Sequence, residues 1–173
     1  GSVSLTYPFG RDQAFYAYAA KLLLGGKMSY LYVFDLKPPG SHLYFALNQI
    51  LLGESMFNAR IFDIIWQALT AYIVFLISVK LTKNKILSVI SSFLYLFLYY
   101  RQDYWHTLQA DGMLNLPVAL CVLMLISSNE LHSYIKIILA GALFAFALIF
   151  KYTIISFLPL VLICFLLAAN EPK

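Results

Sequence analysis

Charge is scarce in this chain. Only 12% of its 173 residues are Asp, Glu, Lys or Arg, while 62% are hydrophobic. A water-soluble domain carries about 25% charged and about 45–50% apolar residues. An ordinary soluble fold is therefore excluded, and an integral membrane protein is indicated. The net charge of +4 comes from scattered basic residues, so no basic face is available for nucleic acid. Cysteine is nearly absent. Cys121 and Cys164 both lie inside apolar runs and read as packed thiols, with no disulfide framework and no Cys/His metal spacing. A Ser-His-Asp pattern, a phosphate-binding glycine loop and a dinucleotide fingerprint are missing as well.

What is abundant is apolar sequence in blocks, with 13 Tyr and 14 Phe, residues suited to surfaces with one apolar and one wet side. Asp12 to Leu24 predicts a short amphipathic helix stopped by Gly25-Gly26, with Asp12 as its N-cap. Asp12, Tyr16 and Ala19 or Ala20 share one face. At this length the helix lies in the membrane interface rather than across it. Ser41 to Leu52 predicts a second such helix, with Ser41 as a cap, broken at Gly53-Glu54-Ser55. From Arg60 the apolar blocks begin: 61–79, 86–100, 113–126 with a kink at Pro117, and 134–169. The last is too long for one span and is divided near Lys151-Tyr152. The expected fold is an all-α integral membrane protein with about five transmembrane helices and two juxtamembrane amphipathic helices. Residues 1–56 form an extracytoplasmic loop region and 57–173 the membrane bundle.

Lys80, Lys83 and Lys85 crowd one short turn, which points that turn to the cytoplasm. Counting spans from there places residues 1–56, the loop 101–112 and the break at Lys151 together on the opposite side. Asp12, Lys37, Asp103, Asp111 and Lys151 are thus expected at one face.

Each of these residues has an ordinary and a functional reading. Asp12 is a helix cap or a base whose ionised form the helix N-terminus favours. Lys37 stands before Pro38-Pro39, which holds it extended. It either lies among lipid head groups or sits as a phosphate ligand beside the next helix's N-terminus. Asp111 is a cap, with Gly112 and Asn115 beside it, or a site residue. Lys151 reaches the interface, or it is an intramembrane charge with a role. Arg60 and Asp63 open a span together and pair with each other at helical spacing, unless Arg60 takes a partner such as Asp12. Asp103, His106 and Asp111 could together hold a divalent ion. His42 and His132 have no such company. No cofactor is otherwise indicated.

Taken in order, these residues resemble a known family. Pro8 to Tyr16, containing Arg11-Asp12-Gln13, is similar to the first extracytoplasmic loop of the GT-C membrane glycosyltransferases. The dolichyl-phosphate-mannose protein mannosyltransferases and the related aminoarabinose transferases are the nearest group. Tyr30 or Tyr32 through Lys37-Pro38-Pro39, Gly53-Glu54-Ser55, Arg60, Asp111 and Lys151 continue the pattern. The resemblance implies transfer of a sugar, with inversion, from a polyprenyl-phosphate carrier to a hydroxyl outside the cytoplasm, at the cytoplasmic (inner) membrane. It implies Asp12 as catalytic base and Lys37 on the donor phosphate, with Arg11, Tyr16, Arg60, Asp111 and Lys151 lining or supporting the site. It also implies a preceding span and a carboxy-terminal remainder in a larger parent enzyme, and membrane lipids as neighbours. Gln13 stands where the family often has Glu, which removes one possible charge. The competing possibilities are a non-catalytic module that binds lipid phosphate or packs with partner spans, and a transporter fragment using Asp63 and Lys151.

Overall fold

The computed structural model describes residues 2–127, 133–159 and 163. His132, Cys164 and most of the last expected span lie outside the described residues. Every element within them is helical. After a 3₁₀ turn at Ser2–Thr6 come α1 (Arg11–Leu24), α2 (Ser29–Tyr32), α3 (Gly40–Leu52), α4 (Met56–Thr82), α5 (Lys85–Tyr100), α6 (Ala110–Met113), α7 (Asn115–Ile126) and α8 (Ser133–Leu148). A second 3₁₀ turn covers Tyr152–Phe157.

Helix α1 starts one residue before the expected position, and this displaces Asp12 from its anticipated capping role. Gly10 is the extended N-cap residue, and its N–H donates to the Gln13 side chain. Asp12 falls inside the first turn, where its charge still suits the helix dipole. The helix ends at Gly25, and Gly26 turns the chain with φ of +76°. Its inner face, Tyr16, Ala19 and Ala20, is buried. The small residues let α3 approach closely, and Gln49 Nε2 donates across to the Ala17 carbonyl at 2.8 Å.

Helix α3 also starts earlier than expected. Pro39 precedes its first residue, Gly40, and Ser41 is buried with no capping bond. The Gly40 N–H donates to the Ile149 carbonyl at 2.6 Å. A Cβ on Gly40 would meet Ile149 O, lie 2.7 Å from the Ile149 carbonyl carbon and 2.8 Å from Phe150 Cα. Two backbones therefore touch where α3 begins and α8 has just ended.

The 27 residues of α4 give a rod of about 40 Å. Ser55 caps it by accepting from the Asn58 N–H at 2.9 Å. Among the described residues it is the one helix long and apolar enough to cross a membrane by itself, while α5, α6–α7 and α8 are shorter apolar helices. Lys83 takes the left-handed conformation after α4, and Asn84 caps α5 through the N–H groups of Ile86 and Leu87. Ile86, Phe93 and Phe97 leave α5 with an exposed apolar face.

Leu114 keeps helical backbone angles, so α6 and α7 form one apolar run interrupted three residues before Pro117, whose missing N–H leaves the Met113 carbonyl without its helical donor. The Met113 carbonyl, four residues before it, is instead taken by the Trp66 indole N–H at 2.9 Å. This bond fastens α4 to the α6–α7 junction. At Gly112 a Cβ would lie 2.7 Å from the Tyr99 ring. Only glycine allows α6 to rest on α5 there.

Helix α8 ends at Leu148, and the backbone is extended at Lys151. The long apolar block is therefore broken near the expected point.

Candidate active site

A cavity of about 580 Å³ opens at one end of the bundle, and Asp12, Lys37, Asp111 and Lys151 all line it. Two ion pairs organise it. Lys37 Nζ donates to Asp12 Oδ2 at 2.7 Å, joining α1 to the loop before α3. Lys151 Nζ donates to Asp111 Oδ1 at 2.6 Å, joining α6 to the end of the α8 segment. Both pairs are partly exposed to the cavity, so neither is an internal structural bridge. The remaining wall includes Trp105, His106, Gln109 and Phe150.

Tyr16 holds Lys37 from behind. It is buried, and its hydroxyl accepts a second hydrogen bond from Lys37 Nζ at 2.6 Å. Burial raises the Tyr16 pKa, and the bond from Lys37 opposes that only in part. For Lys37 itself, partial burial disfavours the ammonium. The bonds to Asp12 and Tyr16 outweigh it, and its pKa is raised. Lys37 is therefore a firm cation at neutral pH.

The other expected site residues are placed differently. Arg60 is buried, with Nη1 donating to Thr107 Oγ1 and Nη2 to the Pro8 carbonyl, both at 2.9 Å. It pins the segment before α1 and the 101–109 loop to α4 and stays outside the cavity wall. Its neighbour Asp63 instead accepts from Tyr99 and Gln67. Tyr99 also accepts from the Leu108 N–H at 2.9 Å, so this buried group fixes the loop leading into α6. Arg11 is exposed at the start of α1 and does not line the cavity. Asp111 does not cap a helix: it is the second residue of α6, behind Gln109 and Ala110.

Asp103, His106 and Asp111 do not assemble a metal site. His106 Nδ1 lies 2.9 Å from Asp103 Oδ1, and Asp111 is engaged by Lys151. Among the described residues no cluster of three metal-ligating side chains forms. His42, by contrast, does have company: its Nε2 lies 3.2 Å from Asp35 Oδ2. Burial lowers the His42 pKa, with Asp35 opposing.

Gln13 has a role that its sequence position did not reveal. It is fully buried, and its Nε2 donates to the carbonyls of Tyr104 and Thr107, both at 2.6 Å. Its oxygen accepts from Gly10. A glutamate here would set a carboxylate against two carbonyl oxygens, so in this chain the amide is a structural requirement. Trp105 was equally unmarked. An aromatic residue in a polar loop on the charged side of the chain is the one signal that could have singled it out.

The family model for dolichyl-phosphate-mannose-protein mannosyltransferases matches residues 36–173, about four-fifths of the chain. The chain belongs to that family. No curated protein and no solved structure matches it. The mannosyltransferase family is a membrane-bound glycosyltransferase family whose donors are sugars on polyprenyl phosphate. Lys37, Asp111 and Lys151 fall within the mannosyltransferase match. Asp12, Tyr16 and Arg11 precede it, so Asp12 and Tyr16 join the site through geometry alone.

Proposed function

We propose that the chain carries the catalytic site of an inverting transferase, moving a sugar from a polyprenyl-phosphate carrier to an acceptor hydroxyl on a protein, lipid or glycan. The observation that supports this most is the shared cavity: two carboxylates and two ammonium groups from four separate segments meet there. Asp12 is the base. It takes the acceptor's proton as the hydroxyl oxygen bonds to the anomeric carbon and the carbon–oxygen bond to phosphate breaks. Attack opposite the leaving group inverts the anomeric centre. The departing phosphate gains negative charge, which Lys37 meets, and Lys151 reinforces the positive field from the other wall. Asp111 orients Lys151, Tyr16 orients Lys37, and Trp105 offers a flat surface for the sugar.

In the resting arrangement Lys37 engages Asp12. A donor phosphate competes for the ammonium and releases the carboxylate for proton transfer. Replacing Lys37 with Ala should weaken donor-lipid binding about 10- to 100-fold, the range for a lost charged hydrogen bond of about 1.5–3 kcal/mol. Unchanged affinity in a direct binding assay would remove Lys37 from the phosphate site.

The cavity faces the extracytoplasmic side of the inner membrane in this proposal, with the Lys80–Lys85 turn in the cytoplasm and about five spans between them and beyond. Single cysteines at positions 83 and 103 should be labelled by an impermeant reagent from opposite faces of sealed vesicles. Labelling of both from one face would overturn the orientation.

A further inference from the structure

The Lys37 ammonium is placed only as well as the backbone that carries it. Pro38 and Pro39 follow, and neither has an N–H with which to anchor the turn. The Lys37 main chain is held from two sides instead. Its N–H donates to Asp35 Oδ1 at 3.0 Å, and its carbonyl accepts from the Tyr30 hydroxyl at 2.5 Å. The second Asp35 oxygen is the one 3.2 Å from His42 Nε2. One carboxylate thus links the Lys37 backbone to the first turn of α3.

His42 is an unusual residue for its surroundings. It is fully buried, and its ring centroid lies 5.9 Å from Phe15, 6.0 Å from Tyr16 and 5.8 Å from Tyr30. Its Nδ1 is buried without a hydrogen-bond partner. A purely apolar ring would fill such a cage without leaving a polar atom unmatched. Among the described residues the polar edge has one use, the bond to Asp35. The cage also includes Tyr16, the residue that receives Lys37 Nζ. Backbone and ammonium of Lys37 are therefore referred to the same packed group.

We propose that Asp35 and His42 are positioning residues for Lys37, setting the backbone so that the ammonium meets the donor's phosphate. The inference rests on the phosphate role given to Lys37. Neither residue touches the donor in this scheme. His42 Nε2–H donates to Asp35, Asp35 accepts the Lys37 N–H, and the lysine side chain leaves that turn toward the cavity.

The test is equilibrium binding of a polyprenyl phosphate, without sugar, to the full chain in membranes. His42→Phe fills the cage but cannot donate. It should weaken binding about tenfold, as should Asp35→Ala, while His42→Gln, which restores a donor, should return affinity to within about threefold. In a Lys37→Ala background, His42→Phe should have no further effect, because its influence runs through the lysine. Full affinity in His42→Phe, with Lys37→Ala still defective, would overturn the positioning role and leave the phosphate role standing. An equal loss in both backgrounds would also overturn it, since His42 would then be acting on the fold at large. Unchanged binding in Lys37→Ala itself would overturn both.

Discussion

Asp12→Asn should lower sugar transfer about 10²- to 10⁴-fold, the range contributed by a positioned general base, with normal membrane insertion and near-normal donor binding. The two amino acids have almost the same shape, and an asparagine carbonyl oxygen still accepts from Lys37, which now lies 2.7 Å from Asp12 Oδ2. The backbone of α1 is unaffected, because Gly10 and Gln13, rather than Asp12, close its amino end. Proton acceptance is what the substitution removes. Transfer and donor binding should therefore be measured on the same preparation. Loss of transfer with binding retained identifies the base. If both are retained, Asp12 has no part in the chemistry, and another group must take the acceptor's proton.

The second large effect is expected at a residue without a side chain. Gly40→Ala should cut transfer about 100-fold, because misplacing reacting groups by about 1 Å has that consequence. It should also destabilise the chain by about 1–3 kcal/mol, as overpacking does. The added methyl would collide with main-chain atoms of Ile149 and Phe150. Main chain cannot rotate away as a flexible side chain can. The segments on either side of this joint carry Lys37 and Lys151, so separating them opens the cavity between the two lysines. Gly141→Ala in α8 is the control: nothing lies within 4 Å of its added atom, and a helical glycine replaced by alanine gains up to about 1 kcal/mol. A Gly40→Ala protein with full activity and unchanged melting would show that the contact is looser than described.

Which residues share the cavity was more legible in the sequence than how they pair. Alternation of spans expects Asp12, Lys37, Asp103, Asp111 and Lys151 at one face without any knowledge of packing, and all of these but Asp103 line the cavity. Gly25-Gly26 and the break near Lys151 are also visible, since glycine and a lone charge interrupt an apolar pattern locally. The pairings are another matter. Asp12 and Lys37 are 25 residues apart, and Asp111 and Lys151 are 40 apart. No periodicity couples residues at such separations. Gln13 reads only as a missing charge until Tyr104 and Thr107 are brought against it. Arg60 suggests an ion pair at helical spacing, yet its partners, Thr107 and Pro8, are a hydroxyl and a carbonyl. The caps assigned to Asp12 and Ser41 each fall two residues past the observed N-caps, Gly10 and Pro39; the Gln13 side chain takes the Gly10 N–H, and the Ile149 carbonyl takes the Gly40 N–H.

The two ion pairs also bear on turnover. Both lysines that line the proposed cavity among the described residues are occupied by carboxylates, so neither is idle. Entry of a phosphate is then an ion exchange, in which each lysine gives up one anion for another. Affinity is the difference between two similar pairings and stays moderate by construction. In the proposed scheme, when the sugar has gone, Asp111 can reclaim Lys151 at once, and Asp12 can reclaim Lys37 after releasing the proton taken from the acceptor. In that scheme the returning carboxylates help to displace the spent polyprenyl phosphate, and release of the carrier need not wait for the next donor.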